Sequence, residues 1–143
     1  MATFDMEAGL EAVLSAPCSN LSQVYYKRKL SYYNYFVYSL GDGKGYCYLW
    51  NESEGQRSSC EIGTCLGMYI KSMPPSVKHV CLFSGTCSGQ NKNRFVAMAL
   101  MQRLKSNPNL QCTDQKFLEP GHTQMECDSM HAAIENANNA CCN

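Results

Sequence analysis

The sequence has no surplus of charge of either sign: twelve lysines and arginines balance twelve aspartates and glutamates among 143 residues. A chain that coats a phosphate backbone electrostatically needs a basic excess, so the molecule as a whole is not built as a nucleic-acid coat. It has no apolar run near the roughly 20 residues that cross a bilayer. Its first residues, Met1-Ala2-Thr3-Phe4-Asp5-Met6-Glu7, are acidic where a secretory signal is basic and then apolar. The expectation is an intracellular protein, nuclear or cytoplasmic, with no membrane as partner.

Also missing are a G-x-S-x-G nucleophile elbow, a Walker phosphate loop and a G-x-G-x-x-G turn between a strand and a helix; Gly41-Asp42-Gly43-Lys44-Gly45 reads as a hairpin turn instead. Paired C-x-x-C zinc spacings are absent although there are ten cysteines. Without a secretory signal most of these read as reduced thiols, with Cys47, Cys65, Cys81 and Cys127 inside apolar patterns and expected in the core. A Cys87/His122 nucleophile pair is the kind of pairing any cysteine-rich chain offers.

What is present is a globular composition, 45% hydrophobic and 10% aromatic, enough apolar surface to offset chain entropy. The length fits one domain over 1–137 with a frayed tail at 138–143. Tyr32 to Ser39 and Tyr46 to Trp50, rich in aromatic and β-branched residues and separated by glycines, predict a β-hairpin. Ser58 and Glu61 have capping-box spacing, and Ile62, Cys65, Leu66, Tyr69, Ile70 and Met73 form one helical face stopped by Pro74-Pro75.

Val77 to Phe83 predicts a strand, followed by the polar loop Ser84 to Asn91. A second helix over Asn93 to Lys105 contains Phe95-Val-Ala-Met-Ala-Leu-Met101, apolar on nearly every side and expected to be buried. Gln111 to Leu118 predicts a further strand, and Gly121-His122-Thr123 begins a third helix with Cys127, Met130, Ile134 and Ala137 as its stripe. With Ala2 to Met6 as a strand the order is β-β-β-α-β-α-β-α, an α/β mixed sheet and also the element order of the ribonuclease-H-like fold.

On such a sheet, cutting or strand transfer of nucleic acid uses carboxylates from separate elements converging on Mg2+ or Mn2+, hard ions that prefer oxygen. Asp5 is the first candidate, although the same residue fits an exposed acid in a terminal segment. The second position belongs after the central strand, at the carboxyl end that faces the crevice of an open sheet, and there the residue is Gly85, which offers no ligand. In this loop Gln90 and Asn91 suit phosphate contact, and Lys92 and Arg94 suit a backbone; Asn91 or Asn93 alternatively caps the next helix.

Near the third helix, Glu126 and Asp128 stand about 200° apart around the axis and do not serve one ion together. Asp128, three residues from His131 on one face, is the better ligand; a solvated helix face explains the same pattern. His79, within a strand, reads as structural. Lys27, Arg28 and Lys29, flanked by tyrosines, fit a nucleic-acid contact as well as they fit a protected strand edge.

Phe4-Asp5-Met6, Tyr26-Lys27-Arg28-Lys29-Leu30, Gly45-Tyr-Cys-Tyr-Leu-Trp50, Phe83-Ser-Gly-Thr-Cys-Ser-Gly-Gln-Asn-Lys-Asn93 and Lys116-Phe-Leu-Glu-Pro-Gly-His-Thr-Gln-Met-Glu-Cys-Asp128 together resemble an uncharacterised domain family of animal genomes. That family looks derived from DDE-type transposases with a ribonuclease-H-like core. The resemblance implies acids at Asp5 and Asp128 with His122 near them, and DNA as partner. It implies Asp after Ser84 as well, where this chain has Gly85, and a glycine where it has Ser88. It further implies a short, N-terminally incomplete first strand and an insertion at Gly9 to Ala12.

The resulting expectation is a catalytically impaired domain whose Mg2+ or Mn2+ site is lost or weakened. The alternatives are an active metal-dependent nuclease, its site completed by Glu126, His122 or a partner chain, and a non-enzymatic nucleic-acid or protein interaction module.

Overall fold

The computed structural model describes residues 1–6, 10–12, 30–119, 129–133 and 136. The described strands are β1 (Ala2–Met6), β2 (Leu10–Ala12), β3 (Leu30–Ser39), β4 (Lys44–Asn51), β5 (His79–Ser84) and β6 (Cys112–Phe117); the helices are α1 (Ser59–Ser72) and α2 (Arg94–Ser106). Residues 129–133 and 136 are also helical, within the third helix expected from the sequence. The start of that helix lies outside the described residues.

The hairpin forms as its composition predicts. Gly43 takes φ 65° in the turn, a conformation that disfavours a Cβ, and its N–H donates to the Ser39 carbonyl at 2.9 Å. β3 then takes β4 antiparallel along Tyr32–Ser39 on one edge and β1 antiparallel along Tyr35–Ser39 on the other. β1 continues the sheet by parallel pairing with β5, and β5 by parallel pairing with β6. The order is β4-β3-β1-β5-β6, with β2 pairing antiparallel to Leu30–Tyr32. β3 runs against the other long strands.

Alternation along β1 divides the sheet into two faces. Ala2, Phe4 and Met6 enter the main core with Tyr35, Val37, Val80 and Leu82, under Ile62, Cys65, Leu66, Tyr69 and Ile70 of α1 and Val96 and Leu100 of α2. Thr3 and Asp5 therefore point to the opposite face. There Phe36 packs with Tyr38 and Leu118.

The capping box at α1 is formed: the Ser58 hydroxyl accepts from Cys60 N–H at 3.3 Å and donates to the Glu61 carboxylate. Glu61 also accepts the Gln56 N–H at 3.1 Å. Gly63 is where α1 lets α2 approach, since a Cβ there would stand 3.0 Å from the Ala99 Cβ.

Two burial expectations are corrected. α2 is not buried all round: Phe95, Met98 and Met101 are 45%, 62% and 59% exposed, because the helix presents one stripe to α1 and the sheet and nothing among the described residues covers its back. Cys47 is exposed because it lies on edge strand β4, whereas Cys65 and Cys81 are buried as expected. Cys47, Cys60, Cys65, Cys81, Cys87 and Cys112 are thiols rather than disulfides. Among the described residues no helix is long and apolar enough to cross a membrane.

Candidate functional site

The parallel register of β1 with β5 pairs Ala2 with Leu82 and Thr3 with Phe83. Asp5 lies two residues beyond the last of these pairs, near the carboxyl end of β1, and Gly85 directly follows the carboxyl end of β5, the end at which open α/β sheets form their crevice. Asp5 is half-buried and its Oδ1 accepts the Met6 N–H at 2.9 Å.

Across the sheet Asp5 pairs with Phe36, and directly paired residues share a face. The Phe36 ring meets the His131 ring edge-on, with centroids 6.1 Å apart. The third helical segment thus reaches the face that carries Asp5. His131 Nε2 is buried with no hydrogen-bond partner among the described residues.

The loop after β5 separates its polar residues. Gly85 stands in open space: a Cβ there would meet no atom within 4 Å, so a larger residue would fit. Asn91 is buried and its backbone carbonyl accepts from Gln115 Nε2 at 2.8 Å, which ties the loop to β6. The cap of α2 is Asn93, whose Oδ1 accepts the Phe95 N–H at 2.9 Å. Gln90 is half-buried. The exposed Lys92 and Arg94 diverge, the first over the Phe117 ring of β6 at 5.6 Å and the second over the Phe95 ring of α2 at 5.0 Å. Lys27, Arg28, Lys29, His122, Glu126 and Asp128 lie outside the described residues.

Sequence reasoning passed over Glu119. The Leu118 N–H donates to the Ser84 carbonyl at 2.9 Å, which brings exposed Glu119 to the same end of the sheet as Asp5. Its signal was only its place at the end of a strand. β5 lies between β1 and β6, so the two acids stand on strands roughly 10 Å apart. Gly85, which directly follows the middle strand, carries no ligand atom, so the described residues supply no bridging carboxylate between the two acids.

A second cluster lies at the other end of the sheet. His79, within a strand as expected, is exposed at the start of β5, and its Nε2 stands 2.8 Å from Asp114 Oδ2. Cys112 Sγ is 3.8 Å from Asp114 Oδ1. Desolvation by its neighbours, then the Asp114 carboxylate, pushes the Cys112 thiol above the ordinary cysteine value.

No protein-family model, no curated protein and no solved structure matches this chain. Its functional reading rests on its own residues.

Proposed function

We propose that this chain is a catalytically impaired descendant of a ribonuclease-H-like, metal-dependent DNA nuclease or strand-transferase domain of the transposase type. It keeps at most residual affinity for Mg2+, Mn2+ or nucleic acid. A mixed sheet ordered β4-β3-β1-β5-β6, with β3 reversed against its neighbours and helices on both faces, is the architecture such a domain would have.

The observation that supports the reading is the placement of Asp5 near the carboxyl end of β1 and of Gly85 directly after β5, its parallel neighbour. Phosphodiester chemistry of this class depends on carboxylates that clamp the ions polarising the attacking and leaving oxygens. A glycine in the middle position removes the ligand that would join Asp5 to an acid farther along the sheet, and no neighbouring Ser or Thr replaces its charge. Asp5 remains able to attract a cation, and Lys92 and Arg94 remain exposed beside the loop.

The test is a Mn2+ titration of the wild-type chain and of Gly85→Asp, each also assayed for nicking of supercoiled DNA. Open space at position 85 lets the new carboxylate fold in without strain. The expected result is weak Mn2+ binding and no nicking by the wild type, with affinity at least about tenfold higher in Gly85→Asp, since even the partners that only orient a ligand change metal affinity on that scale. Tight Mn2+ binding together with nicking by the wild type overturns the reading.

A further inference from the structure

The parallel pairing of β5 with β6 assembles a donor set that no local spacing announces. His79 is the register partner of Cys112, and Asp114, two residues on, points to the same face. One nitrogen, one sulfur and one carboxylate oxygen lie within 4.8 Å of one another. In a tetrahedral site with bonds of about 2.0–2.3 Å, ligand atoms stand roughly 3.3–3.8 Å apart, so small side-chain rotations bring all three onto one ion.

The backbone beneath them is fixed: the Lys78 carbonyl accepts from both Gln111 N–H at 2.7 Å and Cys112 N–H at 3.2 Å. The side chains are open to solvent, His79 at 56% and Asp114 at 46%, which leaves an entry path and a fourth position for water.

We infer that His79, Cys112 and Asp114 form a binding site for a zinc-class divalent cation that clips edge strand β6 to β5. The thiolate and imidazole select a borderline-soft ion such as Zn2+ or Co2+ over Mg2+ or Ca2+, which take oxygen ligands. Binding displaces the thiol proton to solvent, the cation's charge replacing the proton's, with no change of oxidation state. The site is about 20 Å along β5 from Gly85, so it is independent of the crevice at Asp5 and does not rest on the nuclease reading. Without a cation, His79 and Asp114 are joined by an exposed hydrogen bond.

The test uses the reduced full-length chain titrated with Co2+, read by the thiolate-to-cobalt charge-transfer band and the visible bands of a tetrahedral ion, with Zn2+ as competitor. The wild type is expected to bind a single Co2+ at this site and to lose the bands when Zn2+ is added. Cys112→Ser should lose the charge-transfer band, while His79→Ala and Asp114→Asn weaken binding at least about tenfold. Met98→Ala, on the exposed back of α2, should bind as the wild type does. No charge-transfer band in the wild type overturns the assignment, and so does an undiminished one in Cys112→Ser, because other cysteines would then be holding the metal. Should circular dichroism show Cys112→Ser to be unfolded, Asp114→Asn decides the matter: its side chain is exposed and isosteric, and unchanged Co2+ affinity there refutes the site.

Discussion

At Cys65 and Tyr48 the cost of burying a charge is already written into single side chains. Burial, and then the nearby Glu61 carboxylate, pushes the Cys65 thiol from 9.0 to about 11, and burial, then Cys65, pushes the Tyr48 phenol from 10.0 to about 12. Both are acids that the folded chain keeps protonated beyond the point where the unfolded chain ionises them. Their contribution to stability is complete below pH 9 and is lost as pH rises through about 11 and 12. Urea unfolding between pH 7 and 11 should therefore show stability declining only above pH 9, and Cys65→Ala should flatten the early part of that decline; an unchanged slope in the variant would refute the assignment to Cys65. At this scale Asp5 is readable in the sequence, because an acid between apolar Phe4 and Met6 in a strand must face away from the core they enter. Cys47 is not readable in the same way: its apolar neighbours match those of Cys65, and only its place on edge strand β4 exposes it.

Between elements, the contact of β3 with β4 depends on a missing side chain. A Cβ at Gly45 would stand 2.5 Å from the Phe36 ring, which is itself held by Tyr38, Leu118 and His131. Gly45→Ala should thus force a core ring off its position and cost about 1–3 kcal/mol, the range of overpacking, as measured by chemical denaturation. Loss of less than a few tenths would mean that the ring moves freely. The hairpin was legible because glycines interrupt two aromatic runs, and α1 because its capping pair, apolar stripe and Pro-Pro stop agree. α2 was legible as a helix but not in its burial. Phe95, Met98 and Met101 are as apolar as any core residue, and whether a second layer covers them is decided by neighbours that lie far away in the chain.

For the whole molecule, stability concentrates on one side of the sheet. Leu66 is fully buried between α1 and the strands, so Leu66→Ala should cost about 2–5 kcal/mol, while Met98→Ala on the exposed back of α2 should stay within about 0.5 kcal/mol. Comparable losses from the two variants in urea titrations would show that α2 is covered on that side in solution. Most strands and helices, the α1 cap and the core faces of β1 and α1 followed from the sequence alone, because they depend on turn chemistry and on periods of 2 and 3.6 residues among near neighbours, whereas β2 read there as an inserted stretch and the back of α2 as buried. Only the tertiary structure decided that β1 runs parallel beside β5, that Glu119 reaches the same end of the sheet as Asp5, and that His79 meets Cys112 and Asp114 at the other. Those meetings depend on the register of parallel strands joined by helical crossovers, and a crossover fixes which residues pair through packing across the whole core, which no stretch of the chain encodes by itself.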